Sequence, residues 1–98
     1  VTSPLIVSRE ARADIRAAID GLREVSPTLP VRFGIELEIT YSLISEYPEM
    51  YPVVYREFRR ALLRRFPYSV FYIVEHAVIL IVGVVHQSRD DTTWKRRA

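Results

Sequence analysis

The segment Val78-Ile79-Leu80-Ile81-Val82-Gly83-Val84-Val85 constrains the fold more than any other, because apart from Gly83 every residue is Val, Ile or Leu. No alternation marks one side as polar, so the segment reads as a strand covered on both faces, inside a sheet rather than on a solvated surface. Deleting side-chain volume there, as in Leu80→Ala, is expected to cost about 2 to 5 kcal/mol. The run falls far short of the roughly 18 to 20 apolar residues that cross a bilayer, so no membrane partner is expected. A chain of 98 residues cannot divide its buried surface between two cores, and a single domain spanning residues 1–98 follows.

The elements ahead of that strand follow from punctuation and period. Ser3-Pro4-Leu5-Ile6-Val7 is short, apolar and β-branched, with proline tolerated at the start of a strand. Ser8 can cap a helix whose apolar positions Ala11, Ile15, Ala18, Ile19, Leu22 and Val25 keep helical spacing until Pro27 ends it. The next segment is ambiguous. Ile35, Leu37, Ile39, Tyr41 and Leu43 alternate with polar residues as in a half-buried strand, and local pattern favours that reading. As a helix, the same residues would present Phe33, Leu37, Tyr41 and Ile44 on one side and a second stripe, Ile35, Ile39 and Leu43, roughly opposite. Such a helix has to be covered twice: one side could meet the domain's own core and the other a partner, a second copy of the chain or a sheet edge.

After the connector around Pro48 and Pro52, strands are expected to dominate. Val53 to Phe66 is strand-like and rich in arginine, Pro67 interrupts it, and Ser69 to Val74 alternates apolar and aromatic residues. Glu75-His76-Ala77 is a tight connection without the usual Gly or Asn, which leaves its turn type open. Asp90 to Arg97 is expected as a short helix or tail capped by Asp90 or Asp91. The order β-α-α-β-β-β, with two helices on one face of a mainly antiparallel sheet, is an α+β domain.

The chain has no cysteine, which excludes disulfides, thiolate catalysis and Cys-based zinc sites. It also lacks a Gly-rich phosphate loop, paired catalytic carboxylates and a metal-ligand cluster, so neither a cofactor nor a metal is expected. The opening Val-Thr-Ser-Pro has neither the basic stretch nor the apolar core of a secretion signal, and the expected address is cytoplasmic. A net charge of +2 hides an asymmetry: residues 1–55 carry five Arg against eight Asp and Glu, whereas residues 56–98 carry nine Lys and Arg against four. A basic half of this kind attracts a polyanion or an acidic protein.

Several stretches together resemble the RelE/ParE toxin superfamily. They are the opening helix Ser8-Arg9-Glu10-Ala11-Arg12-Ala13-Asp14-Ile15, the connector Tyr47-Pro48-Glu49-Met50-Tyr51-Pro52, the run from Arg59 to Tyr72, and the ending Val84-Val85-His86-Gln87-Ser88-Arg89-Asp90. The likeness runs from about Val7 to Trp94, and the order and spacing of the motifs carry it rather than any one of them. It implies a helical hairpin on an antiparallel sheet, and so a helix for the ambiguous segment. It also implies a toxin that arrests growth when free and is silenced in a hetero-oligomeric complex with a cognate antitoxin, for which Ile35, Ile39 and Leu43 are the candidate docking stripe.

The superfamily implies two kinds of target. RelE-type members cut messenger RNA on the ribosome, and for that chemistry Arg60, Arg64, His86 and Arg89 are the candidates: guanidinium forks match phosphate oxygens, and a histidine titrates near neutrality. The lysines of that branch are missing, since Lys95 is the only one here. The Tyr-Pro connector and the ending from His86 look closer to the ParE branch, the plasmid stabilisation toxins. That resemblance implies a ParD-like antitoxin, DNA gyrase as target, and a binding surface made of Arg59, Arg60, Arg64, Arg65, Arg89 and Trp94 rather than a catalytic set. On one continuous strand Arg60 and Arg64 would share a face and Arg59 and Arg65 the other, so all four could not line one site. A plain nucleic-acid-binding domain with Tyr68, Phe71 and Tyr72 as a stacking platform is the remaining alternative.

Overall fold

A computed structural model describes residues 2–89 and 92–98. The chain runs β1 (Leu5–Val7), α1 (Arg9–Val25), α2 (Leu29–Glu46), β2 (Val53–Tyr55), β3 (Phe58–Leu62), β4 (Tyr68–Glu75), β5 (Val78–His86), and then a single 3-10 turn, Thr93–Arg96. The five strands form one sheet in the order β1-β5-β4-β3-β2, antiparallel except where β1 runs parallel to β5. This is the expected α+β architecture. The one element read differently is the arginine-rich stretch. It is a hairpin, β2 and β3, turning at Arg56 (φ 49°) and ending at Leu62, so Arg64 and Arg65 lie beyond the strand. The caps expected at Asp90 or Asp91 lie outside the described residues.

Local chemistry accounts for both helices. The Ser8 hydroxyl accepts from the Ala11 amide at 3.1 Å, and Ser26 closes α1 by donating its N–H to Leu22. Pro27 keeps the hairpin connection from continuing as helix. The segment with the strand-like alternation is helical over all of α2, and it buries Phe33, Leu37, Thr40 and Ile44 against the sheet. Local β propensity loses here because a helix matches the core with one stripe, and tertiary packing supplies most helical stability.

The core has two unequal layers. On one face of the sheet, Phe33, Leu37 and Ile44 of α2 and Ala11 and Ala18 of α1 meet Val70, Tyr72, Ile79, Ile81 and Val84. On the other, Phe58, Phe71, Ile73, Val82 and Val85 are covered by Trp94, whose indole stacks on Phe71 with ring centroids 3.8 Å apart. β5 is therefore sandwiched as its composition requires, although Leu80 is only partly buried and Ile81 is the fully buried choice for a volume deletion.

β1 ends at Val7, and beyond it the outer edge of β5 would offer open polar groups to solvent. Side chains close that edge. Phe71 pairs with Gly83 and Tyr72 with Ile81, so Val82 is the extra residue of a bulge. The Val82 carbonyl accepts from Arg97 Nη1 at 3.0 Å, and the Val84 amide donates to Asp14 Oδ2 at 3.0 Å. Arg97 and Asp14 are themselves paired at 2.6 Å, with only 15% and 21% of their side chains exposed. Gly83 permits this closure, because a Cβ there would stand 3.1 Å from Arg97 Nη1 and 3.2 Å from Trp94 Cβ.

The β4–β5 turn is resolved by its torsions. His76 and Ala77 have φ of 51° and 64°, the positive pair that a two-residue type I′ hairpin requires. Ala77 does not favour that region. Ala77→Gly is expected to stabilise the domain by about 1 kcal/mol, relief of left-handed strain outweighing the added freedom of the unfolded chain. Urea unfolding checks it, and an unchanged midpoint would mean the turn is unstrained.

Candidate functional site

The basic residues of the second half do not form one surface. Arg59 faces the helix side of β3, half-buried, and its Nη1 donates to the carbonyls of Tyr51 at 2.6 Å and Glu49 at 3.2 Å. Tyr72, fully buried beside it, donates its hydroxyl to the Pro48 carbonyl at 2.7 Å. These two side chains pin the Tyr-Pro connector to the sheet, so Arg59, expected at the target surface, is committed to structure. Burial pushes the Tyr72 phenol up to about 12, with neighbouring Arg59 pulling the other way, and burial raises Tyr41 to about 12 as well. A phenol whose folded pKa exceeds its unfolded value of about 10 contributes stability that is complete below pH 10 and is lost as pH rises towards 12. Stability should therefore fall across that window, and less steeply in Tyr72→Phe. The same variant should lose about 1 kcal/mol at neutral pH with its hydrogen bond to Pro48. Urea midpoints at several pH values test both statements.

Arg60 points the other way, onto the sheet face opposite the helices. There a cleft of about 410 Å³ is bordered by Arg60, Leu62, His86, Arg89 and Lys95, with Phe71 and Trp94 at its base. None of Arg60, Arg89 and Lys95 has a carboxylate partner among the described residues, and the Lys95 ammonium sits 4.5 Å over the Tyr55 ring. Trp94 does not belong to the exposed surface expected of it. It is 6% exposed, because its ring fills the gap left on the face that neither α1 nor α2 covers. His86 is likewise engaged: its ring is edge-on to Tyr68, and its Nδ1 accepts from the Ser88 amide at 3.1 Å. The Ser88 hydroxyl also lies 2.7 Å from the same nitrogen, so Nδ1 is turned into the chain's own turn rather than into the cleft.

Arg64 and Arg65 lie on the helix side instead, since the strand ends before them. The Glu36 carboxylate of α2 accepts the backbone N–H groups of both, at 3.2 Å for Arg65 and in a short contact for Arg64. This holds the turn after β3 against α2 and opens a groove of about 590 Å³ lined by Leu29, Arg32, Ile35, Ile39, Arg64, Arg65 and Phe66. Ile35, Ile39 and Leu43 are 56%, 57% and 38% exposed, as a stripe left over from the core must be. The structure thus brings Arg60, His86 and Arg89 to one cleft and removes Arg64 from it. Glu36, Asp14 and Arg97 emerged only from the fold, because each acts on backbone distant in sequence and no spacing announces it.

Comparison with known proteins agrees with the fold. The family model described as the ParE toxin of the type II toxin–antitoxin system parDE matches residues 5–91. No curated protein matches significantly. Among solved structures, the chain is similar to one described as the chromosomal ParDE toxin–antitoxin system from P. aeruginosa, with TM-score 0.75, 19% identity, and 87% of this chain and 96% of that one covered. It is also similar to one from the toxin–antitoxin complex RelBE2 of Mycobacterium tuberculosis, with TM-score 0.59, 20% identity, and coverage of 88% and 99%. At such identities the structures speak for the fold, and the family model speaks for kinship across nearly the whole described length: the chain belongs to the ParE toxin family of type II toxin–antitoxin systems.

Proposed function

We propose that the chain is a toxin silenced by a cognate ParD-like antitoxin in a hetero-oligomeric complex, and that when free it arrests growth in the cytoplasm by binding DNA gyrase. One observation carries the antitoxin half of this reading: α2 leaves Ile35, Ile39 and Leu43 exposed in a row beside an open groove, on a fold whose solved relatives come from toxin–antitoxin systems. The target half rests on the open-face cleft, where Arg60, Arg89 and Lys95 supply charge without a carboxylate partner among the described residues. A binding role suits this cleft better than RNA cleavage. Arg64 lies in the other groove, away from Arg60, Arg89 and His86, and Nδ1 of His86 is engaged by the amide and hydroxyl of Ser88.

Assays of gyrase supercoiling and of ribosome-dependent mRNA cleavage, run side by side, test the target. Inhibition of supercoiling is expected, weakened at least about tenfold by Arg60→Glu, with no cleavage. Cleavage without an effect on gyrase would move the assignment to the RelE type. Inactivity in both assays, with steeply salt-dependent binding of bare DNA or RNA, would favour a plain nucleic-acid-binding domain.

A further inference from the structure

The exposed face of α2 has an electrical direction. At roughly 100° per residue, Arg32, Ile35, Ile39, Leu43 and Glu46 fall within a sector of about 80°, so the apolar stripe begins at an exposed arginine and ends at an exposed glutamate. The turn after β3 reinforces the first end, because Arg64 and Arg65 line the groove beside Ile35 and Ile39. Neither Arg32, Arg64 nor Arg65 has a carboxylate partner among the described residues. The one carboxylate among them, Glu36, is spent on the backbone N–H groups of Arg64 and Arg65. Glu38 stands on the opposite flank of the helix from that turn. The dipole of α2 adds to the gradient, since no acidic residue offsets its first turn and no basic residue offsets its last.

We propose that this groove takes an amphipathic segment of the antitoxin in one direction only: its carboxylate-bearing end over Arg32, Arg64 and Arg65, its apolar residues on Ile35 and Ile39, and its neutral or basic end towards Glu46. The proposal rests on the docking reading above and adds the partner's chemistry and polarity. An uncharged apolar helix could fill the same stripe but would leave three cations facing water-poor surface without a counter-charge. Glu36 is then a positioning residue, holding the arginine-bearing turn at the height of the stripe.

The test uses the full chain and two synthetic helical peptides of about four turns, alike in their apolar positions, one with glutamates at one end and the other with lysines there. The glutamate peptide is expected to bind at least about tenfold more tightly, as three solvent-exposed ion pairs allow. That preference should shrink in about 0.5 M salt and vanish in Arg64→Glu/Arg65→Glu. Glu36→Gln should weaken the preference by releasing the turn that carries Arg64 and Arg65. Because the chain has no cysteine, single substitutions report direction: a thiol at the acidic end of the peptide should form a disulfide with Thr28→Cys and not with Leu43→Cys, both exposed on this face about 22 Å apart. Equal binding of the two peptides, no binding of the acidic one, or cross-linking at Leu43 overturns the proposal. None of these results touches the docking reading itself, which the response of the natural antitoxin to Ile39→Asp decides.

Discussion

Asp14→Ala is expected to destabilise the domain by about 2 to 4 kcal/mol. Asp14 carries three hydrogen bonds, from the Val84 amide and from both terminal nitrogens of Arg97, in a place where both side chains are largely shielded. Removing it strands a guanidinium and a strand amide together, and a shielded charge left without its partner costs several times what the pair contributed. The loss spreads further. Arg97 anchors the 3-10 turn that carries Trp94 on Phe71, so freeing Arg97 loosens the cover that the described residues give one face of the sheet. Asp14→Asn keeps an acceptor for Val84 and should lose less. Urea unfolding followed by tryptophan fluorescence reads both effects, since Trp94 is the sole tryptophan. An Asp14→Ala variant within 0.5 kcal/mol of the parent, about the ordinary effect of a surface substitution, would mean the edge of β5 is closed by something other than this pair.

Ile39→Asp should have the largest effect on association, a loss of antitoxin affinity of at least about 100-fold. Ile39 is 57% exposed, so a carboxylate there is hydrated in the free toxin and the fold is kept. On docking, the same carboxylate would be buried at the centre of an apolar stripe, a position where truncation alone commonly costs about 2 kcal/mol or more. Phe33→Asp is the contrasting change: its ring is fully buried, edge-on to Phe66 and Tyr68, and that variant should not fold at all. Calorimetric titration with the antitoxin, beside a thermal unfolding curve for each variant, separates the two kinds of loss.

Most of this architecture was legible in the sequence where the signal is local. Ser8 and the spacing from Ala11 to Leu22 announced α1, and the apolar run from Val78 announced a strand with two covered faces. The resemblance to known toxins decided α2, which its own alternation did not. What stayed hidden depends on contacts between distant residues. Nothing near Asp14 says that it will meet Arg97, 83 positions away. Arg59, Arg60, Arg64 and Arg65 look alike in sequence, yet one clamps the connector, one lines the open-face cleft and two stand on the helix side. Their fates diverge because β3 stops at Leu62 and because Glu36 holds the turn that follows. Trp94 looks like a surface aromatic in a basic tail, and only the uncovered sheet face explains its burial.

Growth of a bacterial host expressing the chain tests the central claim most directly, with and without the antitoxin and for both the parent and Ile39→Asp. Arrest by the parent alone, rescue by the antitoxin, and arrest by Ile39→Asp that the antitoxin no longer rescues are the predicted results. Unimpaired growth with folded parent protein present, or full rescue of Ile39→Asp, would contradict it.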